Sequence, residues 1–484
     1  MLQSRDTARL LVSQPQKMHA PAPAFAIGSG GWPLSTPRGE AAQTVSNGAQ
    51  QSDDRSKRVS VNIASEGGLG AADFSIAERD RRWLAIRRAM SDAGVDYMLA
   101  VSEMVHSEIG LGRPADARYL LNDSGSVIFP LEGDPIWFAP MSRDQSVIGD
   151  RGAPKEPWVS DMRPAAGPDD PVGSAAPTIA RALSEMRIGN KRVAICGLSG
   201  GGPYTMVRTP DGQVNHTTLI KLLAAVPDGQ VVDGTRLVGE ARYIKSNEEI
   251  ACLRLSERMA EKQVEVLVAR CRPGTPLSQL YAELTAVAQS AGFAVSRQML
   301  AAGPWGETWW RSQEYGATPT IPLQPGWIVK NELEPQVFGY SAQVAQPLIL
   351  GPSTAEQREL LALGKQAFEV ALSEMKPGVT WREVWTKVVS LGTSKLTVEF
   401  LMHGRGLGDD GPLYVPIGDQ KTNPSNNDEI RENTVFVLKP FARRSNDPRS
   451  DWAVARTLTW GDSVVITPTG AQRLGTRPLE LHVT

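Results

Sequence analysis

The chain contains few of the features that mark several large protein classes. Its 484 residues include three cysteines, Cys196, Cys252 and Cys271, too few and too scattered for a disulfide framework or a zinc knuckle. No apolar stretch approaches the roughly 20 residues that cross a bilayer, and lysine and arginine form no long run. The formal net charge is −2, which gives no reason to expect a polyanionic partner. These absences predict a cytoplasmic protein with no nucleic-acid or membrane partner.

Composition and pattern divide the chain into three parts. Residues 1–72 are rich in Ser, Gln, Gly, Ala and Pro, and without a sustained apolar period they are predicted to be a disordered or mis-started extension. Residues 73–232 alternate helical and strand patterns, which predicts a small α/β domain with its own core. Residues 233–484 contain two helical patterns, a group of strands, two more helices and more strands. That order indicates an internal duplication, an α+β architecture with helices on one face of a curved antiparallel sheet.

The sequence predicts where two long helices begin and where several strands lie. Asn247 and Ser353 are expected to cap two long helices, because Ser and Asn side chains accept hydrogen bonds from the first turn. Continuous strands are expected over residues 339–349 and 456–460. In the first domain, the turn at Glu132 predicts a hairpin.

Six short motifs occur in order along the third part. They are residues 241–250 (ARYIKSNEEI), 323–329 (LQPGWIV), 339–344 (GYSAQV), 376–380 (KPGVT), 402–408 (MHGRGLG) and 433–440 (NTVFVLKP). Together they resemble the creatinase/aminopeptidase P group of the M24 peptidase clan. The resemblance implies the pita-bread fold for residues 233–484, preceded by a smaller creatinase-type α/β domain, and it implies a homodimer.

Metal-dependent members of that group use five ligands: Asp, Asp, His, Glu and Glu. Carried onto this chain, the five positions hold Glu332, Gln343, His403, Lys439 and Gly461. A two-metal hydrolase needs bridging carboxylates that hold its ions about 3.5–4 Å apart, and this set cannot supply them. We therefore expect neither metal nor another cofactor, and an ion pair between Glu332 and Lys439 in place of the metal cluster.

Creatinase, in the same group, hydrolyses a carbon–nitrogen bond without metal, and this precedent assigns roles to the remaining residues. The predicted catalytic residues are His403 as general acid or base, with Glu332, Lys439 and Asp410. The predicted substrate contacts, together with Trp305, are Tyr315, Trp309, Trp310, Arg311, Gln343, Asp409 and Arg405. The aromatic members suggest a small polar or aromatic substrate.

Each of these assignments has a purely structural alternative. His403 could hold its turn, Glu332 and Lys439 could be a structural ion pair, and the tryptophans could belong to the core. Three functions therefore stay open: a metal-independent enzyme performing C–N hydrolysis or lyase chemistry, an inert binding protein, and an Xaa-Pro-type metallopeptidase with atypical ligands.

Overall fold

The computed structural model describes residues 74–101, 115–139, 158–165, 175–199, 212, 214–227, 229–306, 310–311, 320–414, 428–447 and 456–484. The predicted N-terminal extension, residues 1–72, lies outside these ranges, and its disorder stays a prediction. Within the ranges, none of the helices has the length and hydropathy of a bilayer-spanning segment.

The first part of the described chain builds a mixed six-stranded sheet. Its elements are α1 (Ile76–Asp92), β1 (Tyr97–Ala100), α2 (Ala115–Leu121), β2 (Ser126–Pro130), β3 (Ile136–Ala139), β4 (Asp161–Pro164), α3 (Ala176–Glu185), β5 (Arg192–Ile195), α4 (His216–Ala225) and β6 (Gln230–Asp233). The strand order is β4-β3-β2-β1-β5-β6. The predicted hairpin is the antiparallel pair β2–β3, and β1 pairs with β5 in parallel. The predicted α/β class is confirmed.

The remaining chain repeats a pattern of two long helices followed by strands. Its elements are α5 (Thr235–Tyr243), α6 (Asn247–Arg270), α7 (Leu277–Ser290), β7 (Ala294–Gly303), β8 (Trp310–Arg311), β9 (Ile328–Val337), β10 (Tyr340–Ser341), β11 (Leu348–Ile349), α8 (Ala355–Glu374), α9 (Trp381–Val389), β12 (Leu396–Glu399), β13 (Met402–Gly404), β14 (Leu413–Tyr414), β15 (Val435–Leu438), β16 (Phe441–Arg444), β17 (Asp462–Thr467), β18 (Gly470–Arg473) and β19 (His482–Val483). This order matches the predicted duplication.

Each helix pair covers its own, mainly antiparallel sheet. Helices α6 and α7 share a core with the sheet β19-β11-β9-β7-β8, in which Leu267 and Leu284 pack near Leu333. Helices α8 and α9 share a second core with the sheet β14-β13-β15-β17-β18. A β-bridge between Ala345 and Gly461 joins the two halves. Helices packed on mainly antiparallel sheets confirm the predicted α+β pita-bread architecture.

Two helix caps lie one residue away from the predicted ones. Helix α6 is capped by Ser246 and not Asn247, and α8 is capped by Thr354 and not Ser353. In both cases a Glu or Gln three residues after the cap returns a hydrogen bond to the cap backbone. This reciprocal capping box satisfies two helix-end donors at once. Asn247 has Ile250 three residues later, which cannot return a bond, and Glu356, three residues after Ser353, is bonded to Trp305 and Arg444 instead.

The predicted strand over residues 339–349 is wrong. Only β10 and β11 are regular there, because side chains take several of the backbone N–H groups between them and reduce the strand pairing to isolated bridges at Val344 and Ala345. The N–H of Gln343 donates to Oγ of Ser463 at 2.9 Å, and that of Gln346 donates to Oδ1 of Asn331 at 3.0 Å. Residues 456–460 also form no strand, so this prediction is wrong as well.

Candidate functional site

An ion pair between Glu332 and Lys439 connects the two sheets. Glu332 lies in the middle of β9, and Lys439 directly follows β15, where its backbone N–H donates to the carbonyl of Leu401. Atom Nζ of Lys439 is 2.5 Å from Oε1 of Glu332, and the two residues are 2% and 4% exposed. The ion pair expected from the sequence is therefore formed, and it is shielded from solvent.

A second cation, Arg297 on β7, stands beside the same carboxylate. Its Nη2 is 3.7 Å from Oε2 of Glu332. Burial by itself raises the pKa of Glu332, but the charges of Lys439 and Arg297 outweigh burial and lower that pKa to about 2. Glu332 is therefore ionised near neutral pH. Arg297 was not predicted as a site residue, although an arginine inside an apolar strand is a signal, because such a residue is rarely buried without a partner.

Gly461 leaves open the space through which the Lys439 side chain passes. A Cβ atom at position 461 would be 2.4 Å from Cγ of Lys439 and 3.2 Å from the carbonyl oxygen of Leu438. The backbone at 461 has no freedom to retreat, because its N–H and C=O both pair with Ala345, at 3.0 and 3.1 Å. The Lys439 side chain therefore requires glycine at position 461, because a densely packed interior has no room for the lysine and a second side chain.

Substituting Gly461 with alanine is expected to lower the free energy of unfolding by about 1–3 kcal/mol, the usual cost of overpacking a buried position. The same substitution made together with Lys439→Ala should cost less, because Cγ of the lysine is then gone. Urea unfolding of the two single variants and the double variant measures this coupling. Strictly additive free energies would show that Lys439 does not occupy the space above Gly461.

The imidazole of His403 is oriented by a carboxylate. His403 lies on β13, paired with Val437 of β15 and Leu413 of β14. Its Nδ1 is 3.0 Å from Oδ1 of Asp409 and 3.2 Å from the carbonyl oxygen of Gly404. His403 is 1% and Asp409 3% exposed. A carboxylate at Nδ1 fixes the ring and its tautomer and favours proton exchange through Nε2, which is the arrangement a general acid or base requires.

Arg405 connects this dyad to β9. Its Nη1 is 2.9 Å from Oδ1 of Asp409, its Nη2 is 2.9 Å from Oε2 of Glu334, and its Nε donates to the carbonyl of Ser341 at 3.0 Å. Gln343 donates its side-chain amide to Oε1 of the same Glu334. Arg405 and Gln343 were predicted to be substrate contacts, and Glu334 was not predicted as a site residue. Arg405 and Gln343 therefore position other side chains of the site through hydrogen bonds. Their contact with a substrate stays a prediction.

The carboxylate of Asp410 belongs to a different cluster from that of Asp409. It pairs with Arg242 of α5, accepts the N–H of Leu407 at 3.0 Å and lies 3.9 Å from Nζ of Lys245. Arg242 also pairs with Asp116 of α2, at 2.5 Å. The two aspartates were expected to face one cleft, and the structure corrects this for Asp410, because consecutive residues on the turn point to opposite sides.

The predicted aromatic wall is described only in part. Trp309 and Tyr315 lie outside the described residues, and for Trp310 and Arg311 the structure gives only the backbone, as strand β8 paired with β7. Trp305 donates its indole N–H to Oε2 of Glu356 at 2.9 Å and packs against a small apolar cluster. Trp305 therefore has a structural role. The substrate contacts assigned to the other four residues stay predictions.

The described residues do not fit a dinuclear metal site. Among them, no group of three or more His, Cys, Asp or Glu side chains has the geometry to hold an ion. Three cations already neutralise three carboxylates in this cluster, and the six are Lys439, Arg297, Arg405, Glu332, Glu334 and Asp409. A divalent ion would need uncompensated carboxylates, and Lys439 would repel it.

Part of the chain matches a known protein family, and the chain is similar to several known proteins. The model of metallopeptidase family M24 matches residues 251–468. An uncharacterised hydrolase/peptidase of Sinorhizobium fredii, y4tM, is 25% identical over 85% of this chain and 98% of its own length. Among solved structures, the dipeptidase PepE of Mycobacterium ulcerans has a TM-score of 0.61 at 18% identity, covering 85% of this chain and 99% of that one. The X-Pro aminopeptidase of Thermotoga maritima has a TM-score of 0.59 at 16% identity, with coverages of 82% and 100%.

The family match and the fold agree with the motifs that first suggested the resemblance. The matched family is one of hydrolases, and the shared structure extends over both the α/β part and the duplicated part of the chain. Residues 251–468 therefore match metallopeptidase family M24, and the chain is similar in fold to aminopeptidase P-like and dipeptidase structures.

Proposed function

We propose that the protein is a metal-independent hydrolase that cleaves a carbon–nitrogen bond in a small polar or aromatic molecule. The observation that carries this proposal is the 2.5 Å ion pair between Lys439 and Glu332, at two positions that the resemblance assigns to metal ligands. An ammonium and a carboxylate that neutralise each other in a buried site leave no charge deficit for a divalent ion to fill. Catalysis then depends on side chains alone.

In the proposed reaction His403 performs the proton transfers. It takes a proton from a water molecule as the water oxygen bonds to the substrate carbon, and it returns that proton to the nitrogen as the C–N bond breaks. The carboxylate of Asp409, 3.0 Å from Nδ1, stabilises the imidazolium formed between the two steps. Lys439 stabilises the negative charge that develops on the substrate. A lyase reaction that begins with proton abstraction by His403 would use the same arrangement.

The names of the similar proteins favour a second candidate function, that of an Xaa-Pro-type peptidase. The structural neighbours include an X-Pro aminopeptidase and a dipeptidase, and a peptide bond is itself a carbon–nitrogen bond. Such a peptidase would need metal bound by an atypical ligand set, against the charge balance described above. The resemblance also implies a homodimer, and the composition predicts a cytoplasmic location. Both remain part of the proposal.

Metal analysis combined with a substrate screen separates these candidates. Protein purified without chelators should contain no stoichiometric zinc, manganese or cobalt by elemental analysis. Turnover found in a screen of amidines, N-methyl amino acids, aromatic metabolites and Xaa-Pro dipeptides should survive dialysis against a chelator. Stoichiometric metal together with chelator-sensitive dipeptide cleavage would establish the peptidase instead. Metal-free protein without turnover of any substrate class would support an inert binding protein.

A further inference from the structure

A second buried polar cluster lies next to Gly461 and contains two carboxyl groups in contact. Glu257 is on α6 and Asp462 begins β17, and both residues are fully buried. The two carboxyl groups are within hydrogen-bonding reach of each other. Yet neither oxygen of Glu257, nor Oδ1 of Asp462, accepts a hydrogen bond from any described residue. Orphaned acceptors of this kind are costly in a protein interior.

The neighbouring donors bond to atoms other than the orphaned oxygens, except the Nε–H of Arg477, which also has no partner among the described residues. Arg473 donates from Nε to Oδ2 of Asp462. Arg477 donates from Nη2 to the carbonyl of Gly461 at 2.6 Å, and it stays 3.7 Å from Oδ1 of Asp462. The hydroxyl of Ser463 donates to the carbonyl of Gln343 at 3.0 Å.

The remaining charged neighbour is Glu261, one turn further along α6. Its Oε1 accepts the backbone N–H groups of Thr476 and Arg477, both at 2.6 Å. Glu261 therefore brings a carboxylate near the cluster but no donor. The hydroxyl of Ser463 also lies beside the carboxyl group of Glu257, but its hydrogen is donated to the carbonyl of Gln343.

We propose that Glu257 is protonated in the folded protein and donates its proton to Asp462, so that the two carboxyl groups share one proton. A single O–H donor satisfies orphaned oxygens on both residues, whereas two ionised carboxylates in contact would repel each other. Burial raises the pKa of Glu257 well above its usual value, and the carboxylate of Asp462 raises it further, while the charge of Arg477 and the hydroxyl of Ser463 oppose both effects only in part.

The shared proton makes the attachment of α6 to β17 sensitive to alkaline pH. Above the ordinary glutamate pKa of 4.5, the unfolded chain loses this proton while the folded chain keeps it. The folded state then binds one proton more, so stability falls as pH rises until the raised pKa of Glu257 is passed. Over that window the equilibrium constant for unfolding should rise by up to about tenfold per pH unit.

The test is Glu257→Gln, which replaces the acid by an amide that donates to Asp462 at every pH. Urea unfolding between about pH 5 and pH 9.5 should show wild-type-like stability at the acidic end. At the alkaline end the variant should be more stable than the wild type, because its unfolding constant lacks the tenfold-per-unit contribution. Equal pH dependence of both proteins, or a loss of stability at the acidic end, would overturn the proposal.

Glu261→Gln is the matched control, because its carboxylate already accepts two backbone N–H groups. It should change stability by a similar factor at all pH values and leave the alkaline slope as in the wild type. Infrared spectroscopy gives a measurement on the unmodified protein. The wild type at neutral pH should show the carbonyl stretch of a protonated carboxylic acid, and the absence of that band would refute the shared proton.

Discussion

Replacing Lys439 with methionine is expected to lower the free energy of unfolding by about 3–5 kcal/mol, the cost of leaving a buried charge without its partner. The variant keeps the chain length and apolar contacts of the lysine but removes the ammonium 2.5 Å from Glu332. Arg297, at 3.7 Å, compensates only in part, because its guanidinium is too distant for a hydrogen bond. Urea unfolding at neutral pH measures the loss.

The control is the double variant Glu332→Gln with Lys439→Met. Removing both charges should restore most of the lost stability, since a neutral pair of similar shape has no buried charge to compensate. If the double variant is as unstable as Lys439→Met alone, the loss comes from packing at 439 and the electrostatic account of the site is wrong.

The pH dependence of the same variants gives a further check. In the wild type the folded-state pKa of Glu332, about 2, lies below its usual 4.5. The stability from this group is therefore complete above pH 4.5 and is lost as pH falls towards 2. In Lys439→Met the deficit should shrink on acidification, because a protonated Glu332 needs no counterion.

Substituting His403 with alanine is expected to lower kcat by roughly 10²- to 10⁴-fold on any substrate found in the screen, the usual contribution of a general acid or base. A large loss is expected because His403 forms a buried pair with Asp409, which orients its ring for proton transfer. His216→Ala is the matched control, because it removes the exposed histidine that begins α4. If His403→Ala keeps its activity and its stability falls, the imidazole is structural.

A milder change at Asp409 separates positioning from packing. In Asp409→Asn the side chain keeps its size but loses the charge that stabilises a protonated His403. The acid limb of the pH profile of kcat/KM should therefore move to lower pH, and kcat should fall with little change in KM. A purely structural aspartate would change the stability without moving this limb.

The sequence predicted much of the fold because its signals are local. Helical periodicity and turn motifs located the α/β part and the duplication, and the ligand positions led directly to the pairing of Glu332 with Lys439. The helix caps were placed one residue off, because Ser246 and Asn247 are both good cap residues. Only the returned hydrogen bond of Glu249 selects between them.

The missed residues depend on non-local geometry. Strand β7 changes register against β9 between Val295 and Arg297, which places Arg297 opposite Glu334. A bulge of this kind re-aims the side chains that follow it, and no motif in the sequence marks it. The separation of Asp409 from Asp410 likewise depends on where α5 places Arg242.

The tight contact between Gly461 and Lys439 has a consequence for how such a protein can change. A side chain that coordinates metal cannot be introduced at 461 while the lysine remains, and removing the lysine first exposes Glu332 to the penalty of an isolated buried charge. Either first step passes through a less stable intermediate. Introducing an ion-binding side chain at 461 without loss of stability therefore requires several simultaneous mutations, and this steric epistasis constrains how the site can change.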